Sequence, residues 1–377
     1  MHSSFTSIAS ASLIGLSCLS TLASAAPFSY GGNPLGNNFP TPNADQIKAI
    51  ETTAHGSLPI PPAATGAPAP SLKNDTITSL QLIAFNELFE VAFFTDLLKN
   101  ITTNMSGYTI PNAKKRQTVI NNLVAIQAQE ELHALNANNG LKASNAQPIQ
   151  PCQYVFPVDN LNDAIELAST FTDVVLGTLQ DVQQAAAVAG DAGFVPGVGA
   201  VIGQEGEQNG FFRSFGGKIP SALPFLTRST RSFAFSALNQ GFVVPNSCPN
   251  FNTISPDLKV FQLLTVDASA IEKNPAAGKI SFTFELPQGG PKPEWKSDWS
   301  GLEIVYINQQ NAPITASLES VQVKGNTVTL QALFPFDAAT FGNGLTIAAL
   351  ATAGAPIATV DQVAAATYAG PALIEIN

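Results

Sequence analysis

Gln129-Glu130-Glu131-Leu132-His133-Ala134-Leu135 sets an acid and a histidine three residues apart, one helical turn, where apolar residues recur with helical spacing. A turn of about 100° per residue puts Glu130 on the face of Val119, Leu123 and Ile126, with His133 at the edge of that face. The pattern has a counterpart earlier and later in the chain. Within Leu82-Ile83-Ala84-Phe85-Asn86-Glu87-Leu88-Phe89-Glu90-Val91-Ala92-Phe93-Phe94, Glu87 lies mid-stripe among Leu80, Ile83, Val91, Phe94 and Leu98. In Glu205-Gly206-Glu207-Gln208, Glu205 shares a face with Val198, Val201, Ile202 and Phe212. A buried carboxylate is costly unless a charge or hydrogen bond meets it, so acids on three apolar faces predict one shared polar centre.

The periodicity predicts four long helices at Thr76 to Ile101, Lys115 to Asn138, Leu161 to Ala189 and Pro196 to Arg213, and a later one near Ser229 to Gln240. A long link containing Pro148, Pro151 and Cys152 joins the second to the third, the crossover of a ferritin-like four-helix bundle. A Glu on one helix and Glu-x-x-His on the next is half the ligand set of a di-iron or di-manganese bundle. The other half is weaker. The third helix centres on neutral Thr172, with Glu166, Asp173 and Asp181 expected to face solvent, and Gln208 follows Glu205 where a second His would serve. The metal candidates are therefore Glu87, Glu130, His133 and Glu205, with Glu90 an interhelical hydrogen-bonding group.

The formal net charge of −10 and the lack of any Lys/Arg stripe exclude nucleic acid and anionic membrane as expected partners. Residues 1–25 carry an uncharged apolar run ending in Ala23-Ser24-Ala25, the pattern of a cleaved signal peptide, so the protein is expected outside the cytosol, extracellular or in the cell wall. No other segment is expected to span a membrane. With Cys18 removed, Cys152 and Cys248 remain, and one disulfide is expected. Asn74, Asn100 and Asn104 open glycosylation acceptor triplets at the two ends of the first long helix. Beside His133 only His55 remains after the signal segment, which leaves a Ser-His-Asp or Cys-His hydrolase almost nothing to use. Gly193 to Gly199 lacks the Lys-Ser/Thr of a phosphate loop, and Glu285, Glu294 and Glu303 are too scattered for a glycosidase pair.

Residues 26–70 read as a Pro/Gly-rich extended arm, in which Ala44 to Thr53 has the pattern of a short helix. Residues 71–249 form the helical bundle. Residues 250–377 change to short alternating runs at Leu258 to Val266, Ile280 to Leu286, Leu302 to Asn308, Val321 to Val323, Val328 to Leu333 and Leu345 to Ala351, with a hairpin signal at Lys324-Gly325-Asn326. The fold class expected is α+β multidomain, a ferritin-like bundle followed by a β-sandwich-like domain. Trp295, Trp299, Tyr306 and Phe334 are candidates for a carbohydrate surface or for the sandwich core.

The chain resembles the secreted ferritin-like family that includes plant desiccation-related proteins, and its fungal late sexual development branch with stress-response relatives. The resemblance rests on Leu82 to Phe94, Gln129 to Leu135, Phe171-Thr172-Asp173-Val174, Ser247-Cys248-Pro249 and Ala369-Gly370-Pro371-Ala372. It implies ancestral metal positions at Glu87, Glu130, His133 and Glu205, with Thr172 and Gln208 standing where a carboxylate and a histidine are expected. The function expected is a non-catalytic structural or interaction role in development or stress, contacting cell-wall polymers or partner proteins. The alternative is a metal-binding or oxidoreductase-type protein with a mononuclear Glu/His site. The cofactor is accordingly either none or one iron, manganese or zinc ion.

Overall fold

A computed structural model describes residues 26–59 and 71–376; residues 1–25, where a signal peptide is expected and where Cys18 lies, and the Pro-rich residues 60–70 are outside it. Four long helices build the N-terminal half: α2 (Asn74–Thr102), α3 (Ala113–Ala143), α4 (Leu161–Ala189) and α5 (Val195–Phe215), preceded by α1 (Ala44–Ala54) and followed by α6 (Arg231–Gly241). Their starts are chemically marked. Asn112 and Asn160 cap α3 and α4 with their side chains, and Gly190 ends α4 in the left-handed conformation. Lys73, which opens α2, offers no capping side chain. Asp191, in the α4–α5 turn, supplies the carboxylate instead, accepting from Lys73 N at 2.8 Å and Thr76 Oγ1 at 2.6 Å.

By length and composition α2 could cross a membrane. It is apolar all round because the bundle encloses it, with Phe85, Leu88, Phe89 and Phe94 each no more than 1% exposed. The arm is not free of the bundle either. Tyr30 and Phe39 are buried, the Tyr30 hydroxyl donates to the Leu88 carbonyl at 2.6 Å, and α1 packs Ile50 and Ala54 against Ala128 and Leu132 of α3. Residues 144–160 form the crossover from α3 to α4. Tyr154 in this link bridges Phe28 on one side and Val243 on the other, and Cys152 is joined to Cys248 by a disulfide.

The C-terminal half holds two four-stranded antiparallel sheets. One runs β1 (Thr265–Asp267), β2 (Gly278–Glu285), β6 (Thr327–Phe334), β5 (Glu319–Lys324). The other runs β4 (Ile314–Ser317), β3 (Leu302–Asn308), β7 (Gly344–Thr352), β8 (Thr367–Ile376). Short helices α7 (Ser269–Lys273) and α8 (Val360–Ala366) complete the set. Period-2 alternation sends Ile304, Tyr306, Ala348 and Leu350 into the core between the sheets, while Val305, Ile307, Leu345, Ile347, Ala349 and Ala351 join the core of the bundle. The β3/β7 sheet is thus covered on both faces, and every residue of β7 but the last is buried for that reason.

Two strand expectations change, and the alternatives for the aromatic residues resolve to the core. The run from Leu258 pairs as a strand only at Thr265–Asp267. Upstream, Ser236 Oγ donates to the Lys259 carbonyl and accepts from Phe261 N, and Gln240 donates to the Phe261 carbonyl, so α6 satisfies backbone that a ladder would otherwise use. β8 lies beyond the last expected strand: Gly370-Pro371 breaks its pattern in sequence, and an edge strand tolerates that pair. Trp295, Tyr306 and Phe334 are buried in the sandwich core, and Trp299 packs on it half-buried, so these aromatics line no open carbohydrate surface.

Candidate metal centre

α2 carries Glu87, α3 carries Glu130 and His133, and α5 carries Glu205; one donor atom from each lies within 4.8 Å of the donors of the others. The three acids are at most 1% exposed. His133 Nδ1 is 2.8 Å from Glu130 Oε2, 3.6 Å from Glu87 Oε2 and 4.0 Å from Glu205 Oε1. Three carboxylate oxygens are left over: Glu87 Oε2 and both oxygens of Glu205 are buried without a hydrogen-bond partner. Buried polar atoms are almost always paired, so orphans converging on one point mark a place for a missing electropositive partner.

The electrostatics agree. Burial lifts the Glu87 carboxyl to about 7, against the pull of His133. Burial, and then the charges of Glu87 and Glu130, hold Glu205 well above the ordinary carboxylate range. Burial also opposes charging of Glu130 and His133, but each is the other's chief compensation, so Glu130 is held low and His133 well above the ordinary imidazole range. Without a metal, and below pH 7, the centre is an imidazolium–carboxylate pair beside acids that favour the protonated form. Three carboxylates and one imidazole also form a borderline donor set that suits iron, manganese or zinc, and four donors from three helices fit one such ion.

The remaining positions do not extend the set to a second ion. Thr172 on α4 is 1% exposed and its Oγ1 has no hydrogen-bond partner. Gln208 Nε2 donates to Glu130 Oε1 at 2.6 Å and to Gln129 Oε1 at 3.1 Å. Glu90 is buried and accepts from Asn86 Nδ2 at 2.8 Å, one turn earlier on the same helix, rather than from another helix as expected. Burial, then the charges of Glu130, Glu205 and Glu87, keep its carboxyl well above the ordinary range. Glu131 points the other way, accepting from Asn37 of the arm at 2.7 Å, and burial lifts it to about 7.

Asp173 and Asp181, expected in solvent, are both 5% exposed. Asp181 holds Arg231 at the start of α6, accepting from its backbone N and its Nε. Asp173 accepts from Asn209 Nδ2 at 2.9 Å, and Ser169 donates to Asn209 Oδ1 at 2.7 Å. The partners of the two acids, Asn209 and Arg231, come from α5 and α6, which a projection of α4 alone does not contain. Gln204 Nε2 donates to Gln129 Oε1 at 2.9 Å, a second contact between α5 and α3 beside the cluster. His55 is exposed at the C-terminal end of α1, and Glu51 accepts from Leu58 N, which leaves no second histidine site there.

Comparison with models of protein families matches residues 76–218 to a ferritin-like domain. Comparison with curated proteins returns no match. The matched span begins in α2, ends just beyond α5 and contains all four donors, so the helices that hold the Glu/His cluster constitute a ferritin-like domain.

Proposed function

We propose that this ferritin-like domain binds a single divalent transition-metal ion through Glu87, Glu130, His133 and Glu205, and that the ion ties α2, α3 and α5 together in a structural rather than a catalytic role. The observation that carries this reading is the convergence of three buried carboxylates and the partly buried His133, with three unpartnered carboxylate oxygens among them. When bound, the ion would supply positive charge to an acidic core and a Lewis-acid centre. The chain's own contribution is to hold four donors in place and, at Thr172 and Gln208, to offer a second ion no charged ligand.

Elemental analysis of the full chain, purified without chelator, tests the proposal against Glu130→Ala/His133→Ala. Near-unit iron, manganese or zinc that vanishes in the variant supports it. Metal in neither protein would favour a second reading, a metal-free relict centre, which the 2.8 Å His133–Glu130 pair and the Gln208 bond to Glu130 already stabilise.

Beyond the centre, we propose a secreted glycoprotein acting through its surface on wall polymers or partner proteins during development or stress. The disulfide suits an oxidising compartment. Asn74 and Asn104 are exposed, whereas Asn100 lies inside α2 with its amide bound to Asp96, so glycans belong on the first two. Mass spectrometry of the secreted chain before and after glycosidase treatment reads both the cleavage site and the modified asparagines. Intact residues 1–25, or unmodified Asn74 and Asn104, would count against this part.

A further inference from the structure

Glu130 differs from the other acids of the cluster in that its two oxygens serve opposite sides. Oε2 faces His133 Nδ1 at 2.8 Å, and Oε1 accepts from Gln208 Nε2 at 2.6 Å. A carboxylate shared by two cations offers one oxygen to each. On Glu130 the second of those oxygens is already saturated by a neutral amide N–H. The amide is also held in that orientation. The same Gln208 nitrogen donates to Gln129 Oε1 at 3.1 Å, and Gln129 Oε1 accepts Gln204 Nε2 at 2.9 Å as well. Gln129 directs its own Nε2 to the carbonyl of Ala54, the last residue of α1, at 3.4 Å. Turning the Gln208 amide over would press its Oε1 against two acceptor oxygens, those of Glu130 and Gln129. Across the bundle Thr172 brings only a short hydroxyl.

We infer that Gln208, oriented by Gln129, is the residue that sets this centre at one metal ion rather than two. It is a positioning residue, acting through Glu130, and the arm takes part because α1 supplies the carbonyl that orients Gln129. This deepens the one-metal reading above and rests on it for the parent protein, but it makes a separate claim about what limits the number of ions.

The test is manganese(II) loading of the full chain, with metal-to-protein ratio and electron paramagnetic resonance as readouts, on the parent, on Thr172→Glu/Gln208→His and on Gln208→Glu. The parent is expected to hold one ion with an uncoupled spectrum. The double variant is expected to hold two, a twofold rise, with the loss of signal intensity that spin coupling between neighbouring ions produces. A folded double variant that holds the same number of ions as the parent overturns the inference, as does a parent that already holds two. Should the double variant fail to fold, Gln208→Glu, nearly isosteric, is decisive: a ratio above that of the parent supports the inference, and an unchanged ratio overturns it. A parent with no manganese beside a double variant with two would sink the one-metal reading and leave the role of Gln208 standing.

Discussion

Replacing Glu205 by Gln should reverse its effect on stability according to whether metal is present. In the metal-free chain Glu205 is an acid with neither oxygen paired, held protonated by burial and by its neighbours Glu87 and Glu130. An acid whose folded pKa is raised contributes stability that is fully present below its ordinary value of 4.5 and is lost as pH rises towards the folded value, at about 1.4 kcal/mol per pH unit. At pH 6, a unit and a half above the ordinary value, that loss is at most about 2 kcal/mol, and Gln is spared it. With chelator, Glu205→Gln is therefore expected to be more stable than the parent, by up to about 2 kcal/mol. With metal at about a thousand times its Kd, the parent gains about 4.1 kcal/mol, and a variant lacking this donor gains far less. The balance then favours the parent by about 2 kcal/mol or more. For 377 residues at about 2.1 cal/mol/K each, 2 kcal/mol is a shift of about 2.5 °C in Tm, and the shifts are opposite in sign in the two buffers. Differential scanning calorimetry at pH 6 with EDTA and with manganese or zinc reads it. The same ranking in both buffers would refute Glu205 as a ligand, and a chelated variant less stable than the parent would refute its description as an uncompensated acid.

The other expectations concern the frame around the centre. Removing the disulfide as Cys152→Ala/Cys248→Ala opens a loop with a sequence separation of 96, for which chain entropy gives a loss of about 4.7 kcal/mol, measurable as a lower urea midpoint. Burial raises Asp173 to about 6, against Arg213 and Asn209, so its contribution is lost as pH climbs from 3.8 to about 6; Asp173→Asn should flatten the pH dependence of the unfolding free energy over that range by about 3 kcal/mol, read from urea melts. Gly177→Ala would put a Cβ 2.2 Å from the Thr227 carbonyl oxygen, pushing α4 off the segment that bonds it, at a cost of about 1–3 kcal/mol in denaturant melts. Trp295→Ala should cost about 3–5 kcal/mol in stability and leave binding to wall polysaccharide unchanged once corrected for folded fraction, because the ring is interior.

What the sequence disclosed follows from how local each signal is. Helical spacing put Glu87, Glu130, His133 and Glu205 on apolar faces, and the bundle brings those faces together. Leu161–Ala189 and Leu302–Asn308 start and stop as the pattern says, because Asn160 caps one and the other is a short apolar run bounded by Gly301 and the polar Asn308-Gln309-Gln310. The failures sit where a distant partner decides. Asp173 and Asp181 look solvated on a helical wheel, and only the approach of Asn209 and Arg231 makes their burial tolerable. The opening of α2 depends on Asp191, more than a hundred residues away in sequence. β8 was hidden by Gly370-Pro371, which is forbidden in a central strand and permitted at an edge. The aromatic residues of the second half could not be sorted by composition, since facing a second sheet and facing water look alike along one strand.

The sheet of β3 and β7 presents Val305, Ile307, Leu345 and Ile347 to the helices and Ile304, Tyr306 and Leu350 to its sister sheet, and so serves as a party wall between the two halves. A chain ended after Cys248 would leave the helices with an apolar flank open to water, and residues 250–377 alone would carry the matching flank. Neither half is then a portable module. Gene fusions, truncations and tags must respect a unit running from the arm to β8, and selection acting on the sheets is felt in the helices that hold the Glu/His cluster.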